Sequence, residues 1–286
     1  MLDLTTHGLN RLRTLGLGAM KLHETYVSSA ERVVFVAHGP QGQKVVVKVD
    51  KSTTRLRREA QALRQCAELG VPVPEVLLFD ESHDQAVLVM QFVIGVALSQ
   101  ASSAAQWVEA GSVLARLHAS PPPAGLPQNV ICSGWSDLLS RLGTDGSSGL
   151  DIIKQTLGQN AFARLGEKVD QYYARLANTP SRFLHGDCQP AHILYSDSKV
   201  NAVIDFGDTG LGDPVWDIAV LTLYSASMLT SLLEGYRPDR DMLAHINKTL
   251  WLYQAVRLVG EVVWLTGHNL SVEAPLALLT DIHFRA

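Results

Sequence analysis

Cysteine is scarce in this chain. Three of 286 residues, Cys66, Cys132 and Cys188, are cysteines at irregular spacing, which excludes a disulfide framework and suits a reducing compartment. An excess of basic charge is also missing. Lys and Arg number 24 against 28 Asp and Glu, a net charge of −4, so bulk electrostatics gives nucleic-acid binding no support. No charge-free apolar run has the length of a membrane span, and the opening MLDLTTHGLNRLRTLGLGAM lacks the long apolar core of a signal peptide. There is no internal repeat, no low-complexity tract and no linker long enough to separate independent domains. What remains is 47% hydrophobic and 18% charged, the composition of an ordinary globular protein. The length suffices for a sizeable core in one large domain or two lobes. These absences lead to a cytoplasmic protein with neither nucleic acid nor membrane as partner.

The most informative stretch runs from Phe183 to Asp217, FLHGDCQPAHILYSDSKVNAVIDFGDTGLGDPVWD. An apolar lead-in reaches His185-Gly186-Asp187, and Pro190 holds the polar corner that follows. The apolar run from His192 to Tyr195, a turn at Ser196–Lys199 and the segment Val200–Ile204 then deliver Asp205-Phe206-Gly207. Two strand-like segments joined by a tight turn form a hairpin, which lets carboxylates eighteen positions apart face one cleft. Chemistry that needs one carboxylate to orient a hydroxyl and another to hold a cation would use such a pair. His185, Cys188 and His192 are side chains that zinc prefers, but Pro190 breaks any helix that would align them, and no convincing fourth ligand is nearby.

The two triplets, in this order and joined by a hairpin, resemble the catalytic and metal loops of the aminoglycoside phosphotransferase family. The resemblance covers roughly residues 25–265. It implies a two-lobed α+β protein of protein-kinase-like fold, with a small β-rich N-terminal lobe (residues 1–93) for nucleotide. A larger helical lobe (residues 94–286) would serve catalysis and the acceptor. By the same resemblance Asp187 is the catalytic carboxylate and Asp205 the principal magnesium ligand. The family usually carries Asn five residues after the catalytic Asp; here that position is His192, as in macrolide-phosphorylating members. An imidazole at a metal position favours manganese more than an amide oxygen does.

The expected cofactors are therefore ATP or GTP with Mg2+, or Mn2+. The expected reaction is transfer of the γ-phosphoryl group to a hydroxyl of a small molecule, an antibiotic of the aminoglycoside or macrolide kind. The rival activity is a metabolite kinase acting on choline, homoserine or a sugar amine. A non-catalytic nucleotide-binding pseudokinase is the other alternative. The expected state is a monomer or weak dimer.

Residues 1–24 are weakly patterned and in part helical. From Tyr26, two β-branched runs flank a Gly-Pro-Gln-Gly turn, which predicts a hairpin with Ser28-Ser29-Ala30 just before its first strand. In the family that loop covers the nucleotide phosphates, so Ser28 and Ser29 are candidate phosphate contacts. Lys48 sits inside VVVKV, where an ammonium is out of place unless it has a task. Its functional reading is the strand lysine that meets the α- and β-phosphates. Glu59, eleven residues on, lies beside the apolar stripe Leu56, Ala60, Leu63 and Ala67 of a predicted helix and would position that lysine. Lys51, Arg55, Arg57 and Arg58 form a solvated face.

The strand AVLVMQFVIG runs into what the family uses as its hinge. There Met90 would back the purine, and the C=O of Gln91 and N–H of Val93 would read it.

Helices are expected over AAQWVEAGSVLARLHAS, Trp135–Leu142 and residues 151–178, the last interrupted near Gly158. Asp217, among apolar neighbours, must be hydrogen-bonded, and by resemblance it braces the catalytic loop. Asp208 and Asp213 are turn formers or pocket residues. Over residues 240–270 a helix apolar nearly all round carries one polar stripe, Gln254, Arg257 and Glu261. This stripe is either a solvated ion pair or the polar edge of an acceptor wall framed by Trp251, Tyr253 and Trp264. Residues 1–96 carry a net charge of +1 and residues 97–286 a net −5, which suits a cationic acceptor.

Overall fold

The computed structural model describes residues 4–14, 17, 20–82, 85–127, 134–142, 147–176 and 181–285; Cys132 lies outside them. In chain order the first elements are α1 (Leu4–Thr14), β1 (Lys21–Ser28), β2 (Arg32–His38), β3 (Lys44–Asp50), α2 (Thr53–Glu68), β4 (Val76–Ser82), β5 (Gln85–Gln91), β6 (Val96–Ala97) and α3 (Ala104–Ala119). Next come α4 (Trp135–Leu142), α5 (Ser147–Leu157), α6 (Gln159–Leu176), β7 (Arg182–Leu184), β8 (Ile193–Ser196), β9 (Lys199–Val203) and β10 (Gly210–Gly212). The chain closes with α7 (Val215–Thr222), α8 (Leu229–Tyr236), α9 (Arg240–Gly267) and α10 (Glu273–Arg285). The fold is kinase-like, an N-terminal five-stranded antiparallel sheet followed by a largely helical C-terminal region. No helix among the described residues is long and apolar enough to cross a membrane.

The residues sort into two compact units. The first comprises Met1–Leu126, Pro190–Thr209 and Thr230–Tyr236. Its sheet has strand order β1-β2-β3-β5-β4. Val33, Phe35 and Ala37 of β2, Val45, Val47 and Val49 of β3, and Val87 and Val89 of β5 fall on one face and pack with Leu12 of α1 into a buried cluster. Each such side chain contributes about 1.5–3 kcal/mol when fully buried. The opposite face meets α2, which buries Leu56, Glu59, Ala60, Ala62, Leu63 and Cys66. Cys66 thus takes the place expected of Ala67, which is exposed.

A second sheet, β6-β8-β9, contains the predicted hairpin, whose turn residues Asp197 and Ser198 have φ of 49° and 68°. Two left-handed residues in succession match the twist of the flanking strands. α3 starts with a capping box made by Ser103 and Gln106. It lies so close to α8 that a Cβ on Gly235 would stand 1.7 Å from the Val108 carbonyl oxygen.

The second unit comprises Pro127–Gln189, Gly210–Leu229 and Arg237–Ala286. Its axis is α9, capped by Asp239 accepting from Met242 N–H and buried along Ile246, Leu252, Tyr253, Val256, Val259 and Val263. α5, α7 and α10 pack around α9, and every residue of α7 is buried. The helix expected over 151–178 is two helices: α5 starts earlier, and Gly158 at φ +83° separates it from α6. Only glycine adopts that conformation without a Cβ penalty, so the break falls there.

Candidate active site

Side-chain alternation explains why a lysine sits in the middle of a buried strand. Val47 and Val49 of β3 point into the α1 cluster, so Lys48 points the other way, toward α2. Lys48 is 5% exposed and Glu59 is 0% exposed. The Lys48 Nζ lies 2.5 Å from Glu59 Oε1 and 2.6 Å from Asp205 Oδ1. Burial works against the ammonium, but the two carboxylates outweigh it and raise the Lys48 pKa above its ordinary value. The other Glu59 oxygen, Oε2, is buried with no hydrogen-bond partner, so this carboxylate is committed to the lysine.

Asp205 follows β9 in the left-handed region, at φ +66°. Such a conformation costs a non-glycine residue about 1–2 kcal/mol and is typical of functional turns. Oδ1 faces Lys48 and, at 3.5 Å, Arg32 Nη2; Oδ2 is 3.9 Å from His192 Nε2. Burial would raise this carboxyl, but Lys48 first, then His192 and Arg32, hold it well below the usual carboxylate range. A dianionic phosphate chain suits the cations here, and a divalent cation suits the carboxylate. No group of three or more His, Cys, Asp or Glu side chains that could hold a metal occurs among the described residues. That count excludes the zinc arrangement of His185, Cys188 and His192. Asp205, with His192 Nε2 3.9 Å from its Oδ2, offers one or two protein ligands, the number magnesium takes when phosphate oxygens and water complete its shell.

Other candidate nucleotide contacts fall in the same unit. Ser28 closes β1, and its side chain lies outside the described residues. The Ser29 hydroxyl accepts from the N–H groups of Arg32 and Glu31 at 3.0 and 3.3 Å, so it shapes the turn into β2. Met90 is buried near the end of β5. The Gln91 N–H donates to the Glu75 carbonyl at 2.9 Å, and half-buried Val93 follows in the segment leading to β6. The Ile94 carbonyl there accepts from Asn201 Nδ2 at 2.8 Å. Of the basic cluster at the start of α2, Lys51 just before the helix pairs with Glu31, and Arg55 and Arg57 on it pair with Asp208 and Glu81. Asp208 is therefore the outer half of an exposed pair.

In the second unit, β7 leads into the His185-Gly186-Asp187 loop, and α7 fastens that loop from below. Asp217 is 0% exposed, and its Oδ2 and Oδ1 accept from the backbone N–H groups of His185 and Gly186 at 2.7 and 3.0 Å. Trp216 Nε1 donates to the Gly186 carbonyl at 2.6 Å. The buried carboxylate thus finds the partners that its burial demands. Above this brace, Gln189 Nε2 donates to both Asp187 oxygens at 3.0 and 2.8 Å, and Arg257 Nη2 reaches Oδ1 at 3.0 Å. The Cys188 thiol is buried, and burial, then Asp217 and Asp187, push its pKa well up, so it is no nucleophile. Asp213 accepts from the Val215 N–H at the start of α7 and from Tyr172, His245 and Tyr253, a structural node.

Residues 26–246 match the model of the Phosphotransferase enzyme family. The chain belongs to that family. The matched span of this phosphotransferase chain holds every candidate site residue from Ser28 to Asp205 and stops short of Arg257. No curated protein matches it. Solved structures show the same fold at low identity. Spectinomycin phosphotransferase APH(9)-Ia, with ADP and spectinomycin, is 13% identical at a TM-score of 0.68, covering 96% of this chain and 97% of that one. Macrolide 2′-phosphotransferase MphH from Brachybacterium faecium is 19% identical at 0.59, covering 95% and 97%. Amicoumacin kinase hAmiN, with AMP-PNP, Ca2+ and Ami, is 14% identical at 0.65, covering 98% and 94%.

Three neighbours of the carboxylates escaped the sequence reading. Arg32 is one charge among many at a strand start, and nothing in its spacing ties it to Asp205. Gln189 lies two residues from Asp187, in the loop that follows His185-Gly186-Asp187, so its position was the available signal. Arg257 stood out as part of a polar stripe, but its partner is Asp187, seventy positions away, and not Glu261.

Proposed function

We propose that this phosphotransferase moves the γ-phosphoryl group of ATP or GTP to a hydroxyl of a small molecule, an antibiotic in the first instance. The observation that carries the reading is a buried ammonium held between two carboxylates, Lys48 between Glu59 and Asp205. The strand-lysine role of kinases requires the lysine to be paired with a helix carboxylate, as Lys48 is with Glu59. Functionally, residues 1–93 supply the nucleotide lobe and residues 94–286 the catalytic and acceptor lobe.

Lys48, positioned by Glu59, would meet the α- and β-phosphates, with Met90, Gln91 and Val93 at the base and Ser28 and Ser29 at the phosphate loop. Asp205 and His192 would hold the divalent cation, which when bound neutralises charge on the phosphate oxygens. Asp187 would accept the proton of the attacking hydroxyl, and Gln189 keeps its two oxygens oriented for that task. Asp217 holds the loop backbone still while this happens. Positioning and electrostatics would supply most of the rate. The antibiotic acceptor draws support from neighbours that are named for spectinomycin, a macrolide and amicoumacin.

The test is a nucleotide-consumption assay with ATP and GTP against aminoglycosides, macrolides, peptide antibiotics, choline, homoserine and sugar amines, followed by mass spectrometry of the acceptor. Asp187→Asn should bind nucleotide yet lose about 10²-fold or more in turnover, the scale of acid–base contributions. Turnover of choline, homoserine or a sugar amine alone would make it a metabolite kinase. Nucleotide binding without transfer to any acceptor would make it a pseudokinase.

A further inference from the structure

α9 and its C-cap residue carry four side chains about one helical turn apart: Arg257, Glu261 and Trp264 on the helix and His268 at the cap. The row begins at the candidate catalytic carboxylate, with Arg257 Nη2 3.0 Å from Asp187 Oδ1. One turn on, Glu261 Oε1 accepts from the Tyr224 hydroxyl at 2.7 Å. Beyond it, Trp264 is 55% exposed and stacks on His268 with centroids 4.1 Å apart. At 1.5 Å rise per residue, Glu261 lies about 6 Å and Trp264 about 10 Å along the axis from Arg257.

We infer that Arg257 determines the acceptor class: it admits a hydroxyl flanked by neutral or anionic oxygen groups and rejects one with an ammonium beside it. This rests on the phosphotransfer reading of Asp187. An accepting hydroxyl must come within hydrogen-bond reach of Asp187, which brings its neighbouring substituents within a few ångströms of the guanidinium. There a carbonyl, hydroxyl, carboxylate or phosphate oxygen meets a donor fork, whereas an ammonium meets a like charge at close range. The Arg257 and Asp187 side chains are 28% and 18% exposed, so the pair opens to solvent from which an acceptor can arrive.

The order of groups along the helix adds a second condition. A cation on the acceptor is tolerated only about a turn further on, beside Glu261, and a flat or apolar ring beyond that, against Trp264. The net −5 of residues 97–286 favours cations over long range, but Arg257 reverses that preference where the hydroxyl reacts.

The test compares kcat/KM on matched hydroxyl acceptors, glucuronate, glucose and glucosamine, together with the antibiotic panel, for wild type, Arg257→Gln and Arg257→Lys. Wild type should favour acceptors without an ammonium next to the phosphorylated hydroxyl by about tenfold or more. Arg257→Gln should erase most of that preference through KM more than kcat, and Arg257→Lys should keep it. If Arg257→Gln does not fold, the wild-type ranking and Arg257→Lys decide. A wild type that works best on an ammonium-flanked hydroxyl, or a ranking unmoved by Arg257→Gln, overturns the inference and leaves phosphotransfer standing. Nucleotide binding with no acceptor turned over overturns both.

Discussion

Removing either partner of the Lys48–Glu59 pair should destabilise the protein, and removing both should cost far less than the sum. The two side chains are 6% and 0% exposed and share a 2.5 Å contact. Breaking a buried pair from one side costs about 3–5 kcal/mol, because the survivor is an uncompensated charge. Glu59→Gln leaves Lys48 with Asp205 as a second partner, which places its cost near the lower end, about 3 kcal/mol. Lys48→Met leaves Glu59 fully buried without its cation, near the upper end, about 5 kcal/mol. The double variant Lys48→Met/Glu59→Gln replaces the pair by neutral groups of similar volume and leaves Asp205 with Arg32. Replacing such a pair is often close to neutral, so the double variant should lose far less than the two single variants together. The coupling energy should then be about 5 kcal/mol or more, above the range of about 0.5–3 kcal/mol usual for contacting residues.

Urea unfolding followed by circular dichroism at pH 7 measures it. The sign with pH is fixed by both shifts. Lys48 is raised, so its contribution is whole below the unfolded lysine value of about 10.4 and fades as pH climbs through the raised folded value. Asp205 is depressed, so its contribution is whole above about 3.9 and fades as pH falls through the depressed value. pH 7 lies inside both limits. Nucleotide affinity should fall strongly in Lys48→Met and mildly in Glu59→Gln. Additivity of the two single variants to within about 0.5 kcal/mol would refute the partnership.

If His192 binds the divalent cation, His192→Asn should lower the ratio of manganese-supported to magnesium-supported activity severalfold, since nitrogen suits manganese better than magnesium. Equal ratios in titrations of the two proteins would remove His192 from the metal site. His245 should make the second unit pH-sensitive: its hydrogen bond to Asp213 raises it, against burial and Lys248. Its contribution, of the order of a charge-assisted hydrogen bond at about 1.5–3 kcal/mol, is whole below about 6.5 and declines as pH rises through the raised value. Wild type should therefore lose more unfolding free energy than His245→Gln between pH 6 and pH 8, about 1 kcal/mol more, and parallel profiles would contradict the pairing.

What the sequence made legible follows from how local the causes are. The β8–β9 hairpin, the α2 stripe and the α3 helix are set by residues a few positions apart, and each was readable from period and turn chemistry. The Lys48–Glu59 contact spans eleven positions but obeys the same logic, because strand alternation and helix periodicity together leave only one face for each side chain. β1 was missed for the opposite reason. Its residues from Lys21 to Val27 are exposed, so an edge strand of Lys, His, Glu and Thr shows no alternation between core and solvent. The break between α5 and α6 was visible as Gly158, but not the start of α5 at Ser147, whose residues sit in a stretch rich in Gly and Ser.

The charges around the carboxylates were the least legible, and for a physical reason. A backbone pattern says which face a side chain occupies, whereas an ion pair depends on where two faces from distant segments meet. Arg257 is the sharpest instance. On α9 its neighbours by helical spacing are Gln254 and Glu261, and an (i, i+4) pair with Glu261 is the ordinary expectation. That pairing does not form: Glu261 takes the Tyr224 hydroxyl from the segment after α7, and Arg257 turns to Asp187. The two choices depend on each other, since a carboxylate already accepting a phenol has less to offer a guanidinium, while Asp187 is held with both oxygens forward by Gln189. Counting charges along the chain assigned this half of the protein to cations. The geometry puts the positive group at Asp187 and the negative one a turn away, and on the proposed reading that order, not the total, is what an incoming acceptor would meet.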